Sequence, residues 1–131
     1  MVYDINTAAV EELTAVGATP ATPWEIAERC PIVFTILPNG SVVQSVLFGE
    51  QGLCHKLRAG SIVCDLSSVT PSESRFCAQQ LSTYGVSFVD APVSGGEPKA
   101  IDGTLSFMAG GPVEAYETLK PFFALMGSSA V

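Results

Sequence analysis

Basic charge is what this chain has least of. Six lysines and arginines stand against thirteen aspartates and glutamates in 131 residues, giving a net charge of −7 and a pI near 4.4. That balance offers no electrostatic footprint for a phosphate backbone, so nucleic acid is not an expected partner. Long apolar runs are missing too, none approaching the roughly 18 residues that span a bilayer. The start, MVYDINTAAVEEL, has neither the basic head nor the apolar stretch of a secretory signal. The expectation is a soluble, cytoplasmic protein with no membrane partner. Histidine is reduced to His55, which sits beside Cys54 rather than at a ligand spacing. Cys30, Cys54, Cys64 and Cys77 lie 24, 10 and 13 residues apart without a CxxC pair. No metal site is expected, and the thiols should pack as small apolar groups in a reducing compartment.

What is present is apolar: 47% of residues, against 15% charged, with a mean hydropathy of +0.37. The length suits one domain. Short β-like runs alternate with helical patterns, and strands are predicted near residues 1–4, 32–37, 61–66, 86–90 and 104–109. Between them, Thr7 is placed to cap a helix reaching Leu13. Thr22-Pro23 opens a second, and Val42, Val43, Val46 and Leu47 form one face of a third. Thr70-Pro71-Ser72-Glu73 combines a cap, a first-turn proline and an acidic first turn. Val113 to Leu125 closes the chain as a helix, and Ala91 to Gly96 is expected to be loop. Apolar strands separated by helices imply a mainly parallel sheet covered on both faces, a doubly wound α/β domain.

In such sheets ligands bind off the carboxyl ends of strands, here Asp4, Pro38-Asn39 and Ser67-Ser68. A carboxylate at Asp4 could accept the adenosine ribose hydroxyls of a dinucleotide, and its charge would repel a 2′-phosphate. NAD is thereby favoured over NADP. The plain alternative is that Asp4 caps the helix after it. No G-x-G-x-x-G precedes Asp4, so the chain is expected to lack the first βα unit of a dinucleotide fold, with its pyrophosphate loop. Further on, APVSGGEPKAIDGTLSFMAGG groups Gly95, Gly96, Gly103, Gly110 and Gly111. Paired glycines let backbone amides approach a carboxylate, and Ser94 adds a hydroxyl donor. Ordinary turn glycines would look the same.

This stretch resembles the substrate-binding segment of the β-hydroxyacid dehydrogenases, the family of 3-hydroxyisobutyrate dehydrogenase and 6-phosphogluconate dehydrogenase. Asp90-Ala91-Pro92-Val93-Ser94-Gly95-Gly96 with Gly103-Thr104-Leu105 carries the likeness. Glu97 to Asp102 brings it nearest the tartronate semialdehyde (2-hydroxy-3-oxopropionate) reductase branch. Thr35 to Asn39 and Asp65 to Pro71 match as well. The resemblance covers essentially all 131 residues, but only part of the family's longer chain.

The resemblance implies a Rossmann-like, partial NAD(P)-binding domain over residues 1–131. In the family a helical domain follows, and its catalytic lysine is expected to lie beyond Val131. No catalytic residue is therefore expected here, and neither Lys56 nor Lys99 matches that lysine. Asp4, Leu37, Pro38 and Ser68 become the expected cofactor-binding residues, and Ser94, Gly95 and Gly96 the expected grip on a small carboxylate substrate. The implied activity interconverts a short β-hydroxyacid and its semialdehyde, of the glycerate or 3-hydroxyisobutyrate type. Ile5 stands where tartronate-type reductases tend to have arginine, which again favours NAD. A homo-oligomer is compatible with the resemblance. The alternative function is a non-catalytic binding or interaction module that keeps the Rossmann-type shell.

Overall fold

The computed structural model describes residues 1–131. Helix α1 (Thr7–Thr14) and helix α2 (Pro23–Arg29) precede strand β1 (Ile32–Thr35), helix α3 (Gly40–Phe48) and strand β2 (Ile62–Asp65). Helix α4 (Pro71–Ser82), strands β3 (Ser87–Asp90) and β4 (Val93–Ser94), and helix α5 (Gly96–Asp102) follow. Strand β5 (Leu105–Phe107), helix α6 (Val113–Met126) and strand β6 (Gly127–Ala130) end the chain.

Strands β1, β2 and β3 are parallel neighbours in that order, with Thr35, Asp65 and Asp90 level across the ladder. Strand β5 runs antiparallel to β4 and parallel to β6. The two three-stranded ladders are continuous in register. Val93 opposes Phe107, the Met108 N–H donates to the Pro92 carbonyl, and Asp90 and Gly110 exchange both backbone bonds at 2.9 and 2.7 Å. Pro92 has no N–H to donate, and it marks the point where β3 bends into β4.

Helices cover both faces of this sheet. Val33, Val63 and Phe88 pack with Val43, Leu47, Cys77 and Leu81 under α3 and α4. Cys64, Val89 and Phe107 pack with Ala115, Leu119 and Phe123 of α6 on the other face. Truncating a fully buried leucine such as Leu47 or Leu81 would cost about 2–5 kcal/mol. The doubly wound, mainly parallel α/β class stands.

Four details differ from the sequence expectation. Val2 forms only an isolated parallel bridge to Pro20, because no further strand lies beside it to extend a ladder. The first helix is capped by Asn6, not Thr7; the Asn6 side chain accepts the Ala8 N–H at 3.1 Å. Residues 91–96, expected as loop, contain β4. Gly127–Ala130 is a strand although its sequence, GSSA, carries no β-forming side chain; pairing to β5 makes it one. Val131 carries that pairing one residue further. Its N–H donates to the Phe107 carbonyl at 3.1 Å, and its own carbonyl accepts the Ala109 N–H at 2.7 Å.

Candidate functional site

Three loops leave the carboxyl ends of the parallel strands at one edge of the sheet. The first, Ile36 to Asn39, follows β1. Pro38 lies within this loop, and Asn39 caps α3 by accepting the Val42 N–H at 3.0 Å. Gly40 then opens α3 so close to α4 that a Cβ there would collide with the Glu73 carboxyl.

The second loop, Leu66 to Val69, follows β2 and is bound to the first. Asp65 is wholly buried, and its Oδ1 accepts Thr35 Oγ1–H at 2.7 Å, Ser67 Oγ–H at 2.6 Å and the Ser67 N–H at 3.3 Å. The Ser67 oxygen in turn accepts the Leu37 N–H at 2.8 Å. One carboxylate thus fixes both loops, leaving Pro38 and Ser68 exposed beyond the fixed residues. Helix α4 starts just afterwards with a complete capping box: Thr70 accepts the Glu73 N–H, and Glu73 accepts the Thr70 N–H at 2.8 Å.

The third loop runs from β3 through Ala91 and Pro92 into β4 and α5. Ser94 is exposed, Gly95 has φ +134° and Gly96 has φ +64°. Both values favour glycine. A Cβ on Gly95 would strike the Lys99 side chain, whose nearest carbons stand 2.5–3.0 Å from that point.

Asp4 stands apart from these loops. It is exposed, and one of its oxygens accepts the Asn6 N–H at 2.8 Å; the cap of α1 is Asn6 itself. Asp4 borders an open groove of about 810 Å³ between α1 and the start of α2, whose charged lining residues are Asp4, Glu11 and Glu25. No lysine or arginine lines it. The bonds from Thr22 to the Glu25 carboxylate hold that group below the usual carboxylate range, so it keeps its charge.

The sequence reading gave Asp65 and Asp90 no role, although each ends an apolar strand and opens one of the stretches that carry the family resemblance. Burial pushes the Asp90 carboxyl up, a Ser74 hydroxyl opposes that, and the charge of Asp65 adds to it. The cysteines are unpaired, three buried and Cys30 half-buried. Burial raises the Cys64 thiol to about 12 and the Cys77 thiol to about 11, so neither offers a thiolate near neutral pH. Val131, the residue past which the family lysine is expected, joins none of the three loops. Its backbone is engaged with β5 and its side chain is exposed, so it is a sheet-edge residue with no catalytic group to offer. No helix is long and apolar enough to cross a membrane.

Comparison with known proteins places this geometry. The family described as "NAD binding domain of 6-phosphogluconate dehydrogenase" matches residues 1–131. The 3-sulfolactaldehyde reductase of Escherichia coli K12 is 38% identical over 131 residues, covering 99% of this chain and 44% of that protein. The 2-hydroxy-3-oxopropionate reductase of the same organism is 39% identical over 120 residues, covering 91% of this chain and 41% of that protein. A solved 3-hydroxyisobutyrate dehydrogenase from Salmonella typhimurium superposes with a TM-score of 0.89 at 32% identity, over 97% of this chain and 45% of that one. Structures of this fold have been solved with NADP+ and with NAD+. The chain spans less than half the length of these relatives. It belongs, over its whole length, to the NAD-binding domain family of 6-phosphogluconate dehydrogenase.

Proposed function

We propose that residues 1–131 form part of the NAD(P)-binding domain of a β-hydroxyacid dehydrogenase or reductase. The full-length protein interconverts a short β-hydroxyacid and its semialdehyde, of the tartronate semialdehyde/glycerate or 3-hydroxyisobutyrate type. The observation that carries this reading is the joining of the β1 and β2 loops through Asp65 and Ser67. It sets two candidate cofactor-wall segments side by side at the edge that also bears the Ser94-Gly95-Gly96 loop.

The residues present fit a dinucleotide in part. Asp4 has a solvent-facing carboxylate oxygen left for ribose hydroxyls, and its groove is lined by carboxylates alone among charged groups. A 2′-phosphate there would meet three like charges without a cation, so NAD is the cofactor of choice. Leu37 and Pro38 lie along the dinucleotide, and Ser68 offers a hydroxyl to the nicotinamide ribose. The pyrophosphate has no G-x-G-x-x-G loop within residues 1–131. The cofactor, when bound, supplies or accepts the hydride.

On the substrate side, Ser94 donates its hydroxyl and the Gly95 and Gly96 backbone donates N–H groups to the substrate carboxylate, which orients the carbonyl for transfer. No residue of 1–131 is assigned as the proton donor to the carbonyl oxygen; that role falls to the family lysine expected beyond Val131. The free thiols and the acidic surface suit a cytoplasmic protein. The test is steady-state reduction of tartronate semialdehyde and oxidation of 3-hydroxyisobutyrate by the full-length protein, with NAD(H) and with NADP(H). Turnover with at least one such substrate is expected. Cofactor binding without turnover of any short hydroxyacid would make it a binding module instead.

A further inference from the structure

Two carboxyls that the proposed chemistry does not use lie next to each other inside the molecule. Asp65 and Asp90 are register partners at the ends of β2 and β3. Side chains two residues apart on a strand share a face, so both point the same way as Val63 and Phe88, beneath α3 and α4. All three donors to Asp65 meet its Oδ1; its Oδ2 is buried without any partner. Asp90 Oδ1 is buried without a partner as well. Two orphaned carboxylate oxygens on adjacent strands are a costly arrangement if both groups are ionised.

No cation resolves it. The ion pairs of the chain are Lys56–Glu28 and Lys120–Glu117, both elsewhere. From α4, Glu73 is engaged by Thr70, Cys77 is a raised thiol, and Arg75 lines the groove that Asp90 borders without pairing to it. Helix α3, GSVVQSVLF, has no titratable side chain. On β1, Thr35 already donates its hydroxyl to Asp65, and Cys64 and α6 lie on the opposite face.

We propose that Asp65 and Asp90 hold a single proton between them at neutral pH, in a hydrogen bond joining Asp65 Oδ2 to Asp90 Oδ1. One proton gives both orphaned oxygens a partner. It resides on Asp90, because all three donors already meet Asp65 Oδ1 while no donor meets Asp90 Oδ1. The bond ties the end of β2, and with it the Ser67-Ser68 loop, to the end of β3, from which the Ser94-Gly95-Gly96 loop departs. Burial of Asp90, and the nearby charge of Asp65, act in the same direction. A carboxyl raised in the folded state stabilises the fold below its unfolded pKa, and that contribution is lost as pH rises through the folded one. None of this depends on the identity of the substrate.

Carboxyl NMR of the full-length protein with 13Cγ-labelled aspartate, its resonances assigned by single substitutions, follows Asp65 and Asp90. One resonance, absent in Asp90→Asn, should still be protonated at neutral pH and titrate only above it. Asp65→Asn should lower that midpoint by about one unit or more, the mark of a coupled pair. Ordinary titration of both Asp65 and Asp90 would overturn the proposal. So would a high midpoint that Asp65→Asn leaves unchanged, since burial alone would then hold the proton. If Asp65→Asn does not fold, infrared spectra of the wild type and Asp90→Asn at neutral pH decide. A protonated-carboxyl stretch lost in Asp90→Asn supports the shared proton, and its absence from the wild type overturns it.

Discussion

The loop after β2 and the loop after β4 do neighbouring jobs by opposite means. The β2 loop is held by side chains: Asp65 gathers Thr35 and Ser67, Ser67 gathers Leu37, and Thr70 with Glu73 caps the helix that follows. The β4 loop is held by backbone conformation. Gly95 and Gly96 take positive φ, and Gly95 caps α5 without any side-chain bond. A wall that lies against a large, rigid cofactor benefits from a buried anchor that gathers several donors. A loop that must let a small carboxylate reach its amides benefits from having no Cβ in the way. Substitutions in the two loops should therefore fail in different ways.

The largest effect is expected at the anchor. Asp65→Ala leaves the Thr35 and Ser67 hydroxyls and the Ser67 amide without an acceptor in a buried site. At about 1–3 kcal/mol for each orphaned donor, the loss should reach about 3 kcal/mol or more. Urea unfolding monitored by circular dichroism measures it, and a loss under about 1 kcal/mol would show that the β2 loop is not held by this carboxylate.

Gly95→Val should come next, and its signature should be functional as well as structural. Valine at φ +134° is strained by about 1–3 kcal/mol, and its side chain meets Lys99. In the full-length protein, misplacing amides that are worth about 1.5–3 kcal/mol each against a charged group should lower kcat/KM for the acid substrate at least tenfold. The dissociation constant for NAD should barely move. Unchanged kcat/KM with weakened NAD binding would reverse the assignment of this loop.

How much of this was legible beforehand depended on whether local sequence or tertiary contact decided each feature. Strands β1, β2 and β3 were visible because strands buried on both faces are short runs of branched and aromatic residues. The starts of α2 and α4 were visible because threonine, proline and glutamate satisfy orphan amides within four residues. Strand β6 was invisible: GSSA becomes a strand through β5, which lies about twenty residues away along the chain. Val2-Tyr3 looked like a strand for the opposite reason, having the side chains without the neighbours. Among candidate site residues, Ser94, Gly95 and Gly96 stood out through their motif. Asp65 also lay in a matching stretch, but its role as a buried anchor did not show, because an aspartate after an apolar run looks the same whether it faces solvent, as Asp4 does, or is wholly buried.

That contrast between Asp4 and Asp65 gives a third, smaller prediction. Asp4 is exposed, and only one of its oxygens is engaged, so it should act on a ligand rather than on the fold. Asp4→Asn should leave the unfolding free energy within about 0.5 kcal/mol of wild type. In the full-length protein, Ile5→Arg should move the NADP/NAD preference by about tenfold toward NADP, and further when combined with Asp4→Asn. Equal efficiency with both cofactors before any substitution would remove Asp4 and Ile5 as the determinants.

The smallest effect concerns the helices that follow the two loops. Thr70→Ala removes the hydroxyl that accepts the Glu73 N–H, and should cost about 1 kcal/mol at neutral pH. Helix α5 has no side-chain cap to lose, so alanine at Ser94, which precedes its Gly95 cap, should change stability by under about 0.5 kcal/mol. The pH dependence separates the two further. Bonds to the Thr70 amide and hydroxyl hold the Glu73 carboxyl below its usual range, so its support for α4 is present above the unfolded glutamate pKa and fades as pH falls through the folded one. Wild-type stability should therefore decline on the acid side, and Thr70→Ala should decline less, because one of the two bonds to that carboxylate is already gone. Parallel acid declines in the two proteins would mean that the cap holds α4 through the hydroxyl alone.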